Sequence, residues 1–267
     1  MTADEIPAAF YTASGNADLT YLATAYTSGP WDPNAQHGGP PAALLVGAIE
    51  RAAQQANSAL AIVRATIDLL RPVPVGRVDI DLEAVRQGRR VSEWRGGLSV
   101  DGKVCLRASV LLMAELDLPT PRPSGPSLLP GVQSCPPYAF PFFRQPIGYH
   151  SAVEVRWAKS TWGSPPAGAW LRPRFPLVLG QASLPIERTL LVADAANGIG
   201  AALPLDRFTF LNADLTVSIF RPVRGEWVGL LVDTALPHRG IGQTHAQIED
   251  ESGPCGYGIQ SLVLANL

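Results

Sequence analysis

Charge, cysteine and histidine are all scarce in this 267-residue chain. Charged residues make up 16% of it, the formal net charge is −2, and it has three cysteines and four histidines. Because it has no run of lysine or arginine, we expect neither a nucleic-acid-binding surface nor a polybasic membrane patch. Cys105, Cys135 and Cys255 form no C-x-x-C pair, and their odd number favours buried free thiols in a reducing compartment.

Long apolar runs and the familiar catalytic motifs are also missing. No stretch of about 20 apolar residues is present, so no membrane span is expected. The first ten residues carry Asp4 and Glu5 and no apolar run, which argues against a signal peptide and predicts a cytoplasmic protein. The sequence has no G-x-S-x-G elbow, no H-E-x-x-H, no Walker loop and no cysteine–histidine metal spacing. A serine nucleophile of the α/β-hydrolase kind and a metal site are therefore not expected.

Core-forming residues, by contrast, are plentiful and follow an ordered pattern. Hydrophobic residues make up 46% of the chain, which is typical of a well-cored globular protein. A helix with one apolar face is predicted from Pro40 to about Gln55, with its prolines in the first turn. Four strands separated by glycine turn signals follow it, and a helix before a meander of strands is typical of an α+β fold. The strands are predicted at residues 63–70, 78–85, 91–100 and 103–113.

Prolines crowd the middle of the chain. Nine of them fall between positions 116 and 147, which excludes regular structure through most of this stretch and predicts a semi-extended linker. Four aromatic residues near its end are expected to fasten it to a surface. They are Tyr138, Phe140, Phe142 and Phe143.

After the linker the same order of elements begins again. Arg-Pro-Val occurs at 71–73 and at 221–223, 150 positions apart, and Thr66 and Thr216 match at the same offset. A repeat of this length indicates duplicated domains rather than a solenoid. We therefore predict an N-terminal repeat at 1–115, a linker at 116–147, and a C-terminal repeat at 148–267 that carries the catalytic residues. The second set of elements is a strand at 152–157, a helix at 184–197, and strands at 215–220, 227–235, 243–249 and 257–264.

The second predicted helix is apolar almost all round, yet it contains one carboxylate. Ile186, Leu190 and Asp194 fall at i, i+4 and i+8, so Asp194 continues the stripe that faces a core. Ser183 is the expected N-cap of this helix. An ionised carboxylate on a buried stripe costs several kcal/mol unless it is paired or hydrogen-bonded. We therefore expect the fold to bring hydrogen-bonding groups to Asp194.

Two further polar residues stand where an apolar residue would be ordinary. Gln260 interrupts the last strand, and Thr216 lies near the start of the strand that follows the second helix. Each also has a purely structural explanation, which is an exposed edge position for Gln260 and strand propensity for Thr216. The histidines are scattered, and His37 alone lies at the start of a central helix. The other three are His150, His238 and His245.

With Gly38-Gly39 ahead of the first helix and Arg-Pro-Val at the strand ends, this order of residues resembles the double hot-dog acyl-CoA thioesterases of the thioesterase II (TesB-like) type. Those enzymes hold a water with an Asp on the second central helix, a Thr or Ser on the following strand and a Gln on the last strand. The resemblance implies two tandem hot-dog repeats, each an antiparallel sheet wrapped around a central helix. It also implies hydrolysis of acyl-CoA to fatty acid and CoA, with Asp194, Thr216 and Gln260 as catalytic residues.

The resemblance further implies acyl-CoA as the substrate, no metal or organic cofactor, and a homo-oligomer, expected to be a dimer. Arg64, Arg71 and Arg221 are candidates to meet the phosphates of CoA, although an arginine at a strand end is usually solvated. Two other functions stay open. One is a non-catalytic acyl-CoA- or lipid-binding protein on the same scaffold. The other is a hot-dog hydratase, which is disfavoured because it would need an Asp–His pair and Asp194 has no histidine in its own segment.

Overall fold

The computed structural model describes residues 7–14, 19–57, 59–119, 125–204, 207–237 and 240–266. Its N-terminal half places two short strands and a 3₁₀ turn (Ala25–Thr27) before one long helix, and four long strands after it. The helix is α1 (Gly39–Ala56), and the strands are β1 (Tyr11–Ala13), β2 (Thr20–Ala23), β3 (Leu60–Leu69), β4 (Arg77–Arg86), β5 (Val91–Val100) and β6 (Lys103–Ala114).

The C-terminal half repeats this order with small additions. Two strands precede the central helix, and four strands follow the helix after one extra short strand. The helices are α2 (Tyr149–Ala152), α3 (Pro185–Ala193) and α4 (Ala196–Ile199). The strands are β7 (Val153–Lys159), β8 (Ala167–Pro173), β9 (Phe208–Asn212), β10 (Asp214–Ile219), β11 (Val228–Ala235), β12 (Ile241–Asp250) and β13 (Gly253–Asn266).

Among the described residues, all thirteen strands join one antiparallel sheet. The order along the sheet is β1-β2-β4-β5-β6-β3-β10-β13-β12-β11-β8-β7, and β9 pairs with β13 beside this path. The two halves therefore meet at β3 and β10, and each half reads the same from the centre outwards. This arrangement of one sheet and a central helix in each half confirms the α+β prediction.

An internal two-fold axis passes through the centre of the sheet. In the antiparallel pairing of β3 with β10, Thr66 lies directly opposite Thr216, and the two hydroxyl oxygens are 3.3 Å apart. The pair Arg64–Ser218 on one side is related to the pair Asp68–Asp214 on the other by the same 150-residue offset. The sequence repeat is thus a spatial repeat whose axis runs through its two matching threonines.

The central helices α1 and α3 pack against each other on the inner face of the sheet. The start of α1 meets the end of α3, since Gly39 lies against the carbonyl of Leu191, and Gly47 lies beside Glu187 near the start of α3. The helices are therefore antiparallel, as a two-fold axis requires. Their packing brings the N-terminus of α1 to the C-terminal end of α3, where Asp194 lies.

The proline-rich segment passes from the outer face of the C-terminal half, around the sheet edge, to the inner side. On the outer face, Leu129, Val132 and Cys135 pack with Trp170 and Trp227 into a small cluster of their own. At the edge, two backbone hydrogen bonds join residues 136–138 to β7. Three phenylalanines then reach the inner side, as the predicted aromatic anchors suggested. They are Phe140, Phe142 and Phe143.

Some local predictions need correction. No strand is predicted between residues 157 and 184, yet β8 lies there, because prolines and glycines crowd this stretch and interrupt the alternating pattern of a strand. The N-cap of α3 is Leu184 rather than Ser183, and the Leu184 N–H donates to Glu187 Oε2 at 2.7 Å. The predicted helix at 184–197 is broken after Ala193 into α3 and α4.

Within the described residues no helix is both long and apolar enough to cross a bilayer.

Candidate active site

Asp194 caps the C-terminal end of α3 and is 3% exposed. The C-terminal end of a helix carries partial negative charge, so this carboxylate gains nothing from its own helix. Its stabilising groups come instead from the start of α1 and from β9. A Cβ on Gly38 would stand only 2.8 Å from Asp194 Oδ2, so glycine is required there for α1 to approach this closely.

His37 contacts Asp194 from the opposite repeat. Its Nδ1 lies 2.9 Å from Asp194 Oδ2. The imidazole stacks on the ring of Tyr149 with centroids 3.9 Å apart and planes within 3°, and the Tyr149 hydroxyl donates to the Leu191 carbonyl at 2.9 Å. The ring is therefore held in one orientation. The Gly39 N–H also lies 3.2 Å from Nδ1, and Nε2, on the other edge of the ring, makes no hydrogen bond in the described part of the chain.

Asn212, the last residue of β9, makes the second side-chain contact with the carboxylate. Its Nδ2 donates to Asp194 Oδ1 at 2.8 Å. The Oδ1 atom of Asn212 is buried and has no hydrogen-bond partner among the described residues. A buried amide oxygen of this kind needs a donor, and a bound water or substrate group can supply one.

Gln260 reaches the same corner from β13 but contacts the main chain. It is 1% exposed, its Nε2 donates to the Asp194 carbonyl at 3.1 Å, and its Oε1 accepts from the Asn197 N–H at 3.1 Å. Gln260 therefore fastens the turn between α3 and α4 that carries Asp194. The 150-residue offset places the buried apolar Val110 at the corresponding point of the first repeat, so the polar residue is specific to this half.

Thr216 is not brought to this site. Side chains alternate along β10, and Leu215 and Val217 are buried on the inner face, so Thr216 points to the outer face. There it lies opposite Thr66 on one side and Ile259 on the other. The structure thus brings Asp194 and Gln260 together and leaves Thr216 on the far side of the sheet.

The surroundings of Asp194 favour its ionised form. Burial by itself raises the pKa of this carboxyl. The charge interaction with His37 and hydrogen bonds from His37, Asn212 and the Gly39 N–H more than offset burial, so the pKa lies below its ordinary value. The Gly39 N–H belongs to the first turn of α1, where the helix dipole also favours an anion. Asp194 is therefore a buried, ionised carboxylate whose orientation is fixed by hydrogen bonds.

A cavity of about 470 Å³ opens onto this group of residues. His37, Asp194 and Asn212 form its polar corner, and most of the remaining wall is apolar and aromatic. Trp31 stacks parallel to Phe142 at 6.5 Å and meets the ring of Phe210 edge-on at 5.7 Å. The proline-rich segment contributes three aromatic residues to the cavity wall, Phe140, Phe142 and Phe143.

Sequence reasoning missed two of these residues. The pairing of His37 with Asp194 was discounted because no histidine lies near Asp194 in sequence, yet the fold supplies one from 157 positions earlier. The only signal was the position of His37 before the glycines that start α1. Nothing in the sequence marked Asn212. His150 and His245 lie outside the cavity wall, and His238 falls outside the described residues. No group of three or more potential metal ligands occurs in the described part of the chain.

A polar corner in a largely apolar cavity, on two sheet-and-helix units joined edge to edge, is the architecture of a double hot-dog protein. Solved structures with this fold cover almost the whole chain. They include a provisionally named thioesterase from Novosphingobium aromaticivorans (TM-score 0.74, 20% identity, 97% of this chain and 99% of that chain). Another is a hot-dog protein of unknown function from Alicyclobacillus acidocaldarius (0.72, 13%, 94% and 95%). A third is the acyl-CoA thioesterase II TesB2 from Mycobacterium marinum (0.66, 14%, 93% and 94%).

Family comparison identifies the chain more closely. Residues 27–113 match the acyl-CoA thioesterase N-terminal domain, and residues 132–264 match the acyl-CoA thioesterase C-terminal domain. The chain belongs to the acyl-CoA thioesterase family and is a thioester hydrolase. This confirms the resemblance to TesB-like enzymes and the two tandem hot-dog repeats. No curated protein matches the chain.

Proposed function

We propose that the chain hydrolyses acyl-CoA to a free carboxylic acid and CoA, with water activated by the His37–Asp194 pair. The observation that carries this proposal is the 2.9 Å contact between His37 Nδ1 and the buried Asp194 carboxylate at the polar corner of an apolar cavity. Asp194 orients the imidazole and stabilises its positive charge, and the unpartnered Nε2 serves as general base.

In the proposed reaction, Nε2 of His37 takes a proton from water as its oxygen attacks the thioester carbonyl carbon. The carbon–sulfur bond then breaks, and the proton passes from the imidazolium to the departing sulfur. We assign to Asn212 Oδ1, which has no partner among the described residues, the role of accepting a hydrogen bond from the other O–H of the attacking water. Gln260 acts on the turn that carries Asp194 and so positions the pair.

The start of α1 offers a donor for the negative charge that develops on the carbonyl oxygen. Pro40 and Pro41 remove two of the backbone N–H groups that a first turn normally leaves free, and the Gly39 N–H is directed at the His37–Asp194 pair, 3.2 Å from His37 Nδ1. The Gly38 N–H remains, and it makes no hydrogen bond among the described residues. Gly38 lines the cavity at the positive end of the helix dipole, and its N–H is our candidate oxyanion donor.

Release of CoA thiol from acyl-CoA tests the roles of the pair. Asp194→Asn and His37→Gln are each expected to lower kcat by about two to four powers of ten, because each removes general-base catalysis. The double variant should be little worse than either single one, since the two residues act as a unit. Folding should survive, but Asp194→Asn should lower the melting temperature at neutral pH, because the folded state stabilises the ionised carboxylate.

Two exposed residues provide matched controls. Asp68→Asn and His245→Gln make the same chemical changes on the outside of the sheet and should leave the rate unchanged. Parent-like hydrolysis by Asp194→Asn would overturn the proposed mechanism. An Asp–His pair also suits the hydration of an enoyl-CoA, so each protein should be assayed for that reaction, and hydration without thiol release would favour a hydratase.

A further inference from the structure

The described residues present one lysine or arginine side chain at the cavity, and the inference drawn from it rests on the proposed function. Arg71, just beyond the end of β3, is the only lysine or arginine among the described residues that line the cavity. It is exposed, and its Nη1 donates to the Val104 carbonyl at 2.5 Å. Its Nε and Nη2 have no acceptor in the described part of the chain. Asp32, also at the rim, accepts from the Asn34 N–H and is not paired with Arg71.

The second repeat shows what the same arginine does when its role is structural. Arg221 stands 150 positions after Arg71 and also donates to the carbonyl at the equivalent point, that of Pro254, at 3.0 Å. Its guanidinium is then fully occupied by Asp250, with Nη1–Oδ2 at 2.5 Å and Nη2–Oδ1 at 2.8 Å, and by the Gly253 carbonyl. This bidentate pair neutralises the Arg221 charge.

The hairpin beside Arg71 lacks the carboxylate that pairs with Arg221. Both hairpins carry their register shift at the same point, between Leu98 and Ser99 in the first repeat and between Ile248 and Glu249 in the second. The strand pairing therefore aligns Val100 with Asp250 and Lys103 with Gly253. At these positions the first repeat has a valine in place of the aspartate and a lysine in place of the glycine, and Arg71 makes no salt bridge among the described residues.

We propose that Arg71 binds a phosphate of the CoA moiety of the substrate at the cavity mouth. The Val104 carbonyl holds one guanidinium nitrogen and leaves the fork of Nε and Nη2 for a phosphate, a geometry that suits arginine. The acyl group and pantetheine are uncharged and suit the apolar, aromatic cavity. The phosphates must stay in water, and Arg71 is the cation at that boundary.

The test compares three thioesters of one acyl group, those of CoA, dephospho-CoA and N-acetylcysteamine. Arg71→Ala is expected to raise KM for acyl-CoA about tenfold, as loss of one charge-assisted hydrogen bond predicts, with kcat nearly unchanged. It should not alter kcat/KM for the N-acetylcysteamine thioester, which has no phosphate. If the 3′-phosphate is the group bound, dephospho-CoA thioesters will lose the effect; if the diphosphate is bound, they will keep it.

Further variants separate charge from structure. Val100→Asp restores the carboxylate of the second repeat and should raise KM as Arg71→Ala does, with Arg71 still present. Arg71→Lys should keep part of the affinity, and Arg64→Ala, on the outer face of β3, should keep all of it. An Arg71→Ala defect equal on all three thioesters, or no change in KM, would overturn the proposal. Absence of hydrolysis by the parent protein would instead refute the proposed function, and binding of acyl-CoA could then still be compared between parent and Arg71→Ala.

Discussion

Asp194 keeps a full charge in a place that would ordinarily neutralise it. It is buried at the negative end of its own helix, and it is held ionised by a histidine, an asparagine and a helix start that all come from elsewhere in the chain. A pair assembled in this way exists only when both repeats are folded and packed. The polar corner is therefore a property of the tertiary structure rather than of any one segment.

Substitutions of Gln260 and Thr216 distinguish a residue that positions Asp194 from one that has no contact with the site. Gln260→Ala frees the α3–α4 turn but leaves the Asp194 carboxylate in place, so we expect kcat to fall by about tenfold, less than for Asp194→Asn. Thr216→Val keeps the shape of a residue on the outer face, and we expect kcat to stay at the parent value. Both are read by thiol release together with the thermal unfolding midpoint. A fall in Thr216→Val comparable to that of Asp194→Asn would restore the catalytic role that the sequence predicted.

The sequence revealed those site residues that are unusual within their own segment. Asp194 and Gln260 interrupt apolar patterns; Asp194 lies at the polar corner, and Gln260 fastens the turn that carries it. His37 and Asn212 sit in loops or at strand ends, where polar residues are ordinary, so no local pattern marks them. Their importance arises from the packing of α1 against α3 and of β9 against β13, which local sequence cannot specify.

At the scale of the element, the crossing of α1 and α3 holds a buried carboxylate cluster. Glu187 is paired with Arg51 and with the Leu184 N–H, while the neighbouring Glu50 is only 8% exposed and has one oxygen without a partner among the described residues. Burial first, and then the charge of Glu187, raises the pKa of Glu50 to about 7, against the opposing effect of Arg51. This helix contact is therefore sensitive to pH.

Glu50→Gln is expected to stabilise the protein at high pH. Because the pKa of Glu50 is higher in the folded state than its ordinary 4.5, the folded state loses stability as pH rises from about 4.5 to 7. The glutamine removes that loss, which is at most on the order of 3 kcal/mol. The unfolding midpoint should rise by several degrees at pH 8 and hardly at pH 5, and the exposed Glu83→Gln should show no such difference. An equal shift at both pH values would contradict this explanation.

The strands whose bounds the sequence predicts correctly are those with glycine or Asp-Gly turns at their ends. The strand predicted at 91–100 matches β5, because glycine and the Asp101-Gly102 turn mark its ends. β8 was missed because prolines crowd its flanks, and β9 because it is short and pairs only with β13. The repeat itself was visible because the Arg-Pro-Val tripeptides end the two strands, β3 and β10, that meet at the two-fold axis.

At the scale of the whole molecule, the proline-rich segment is the main difference between the two repeats, because it packs on the outer face of the C-terminal half. Glu249 anchors it, since this fully buried carboxylate accepts from the Ser127 hydroxyl at 2.6 Å and from the Leu128 and Leu129 N–H groups at 3.0 Å. The segment then covers the outer face of one half and walls the cavity inside. The segment therefore adds to one half a covering on its outer face and adds three phenylalanines to the wall of a cavity that both halves line.

Removing this anchor should loosen the segment. Glu249→Ala leaves three donors without their acceptor and is expected to cost about 3 kcal/mol of unfolding free energy, while Glu249→Gln should cost less. Urea denaturation measures the loss, and limited proteolysis should cut near residues 125–135 before the core unfolds. The exposed Glu251→Ala is the matched control, and protease resistance like that of the parent would contradict the anchoring role.

The pairing of β3 with β10 has a consequence for how the chain is made. β3 ends at Leu69 and β10 begins at Asp214, so 145 further residues must be synthesised before the central edge of the first half finds its partner. At ordinary translation rates of about 5–20 residues per second this takes roughly 7–30 s. During that interval the nascent first repeat displays an open strand and an uncovered face of α1, which are the features that chaperones bind. The strand edge and helix face that join the two halves in the folded protein are therefore the surfaces exposed to aggregation during synthesis.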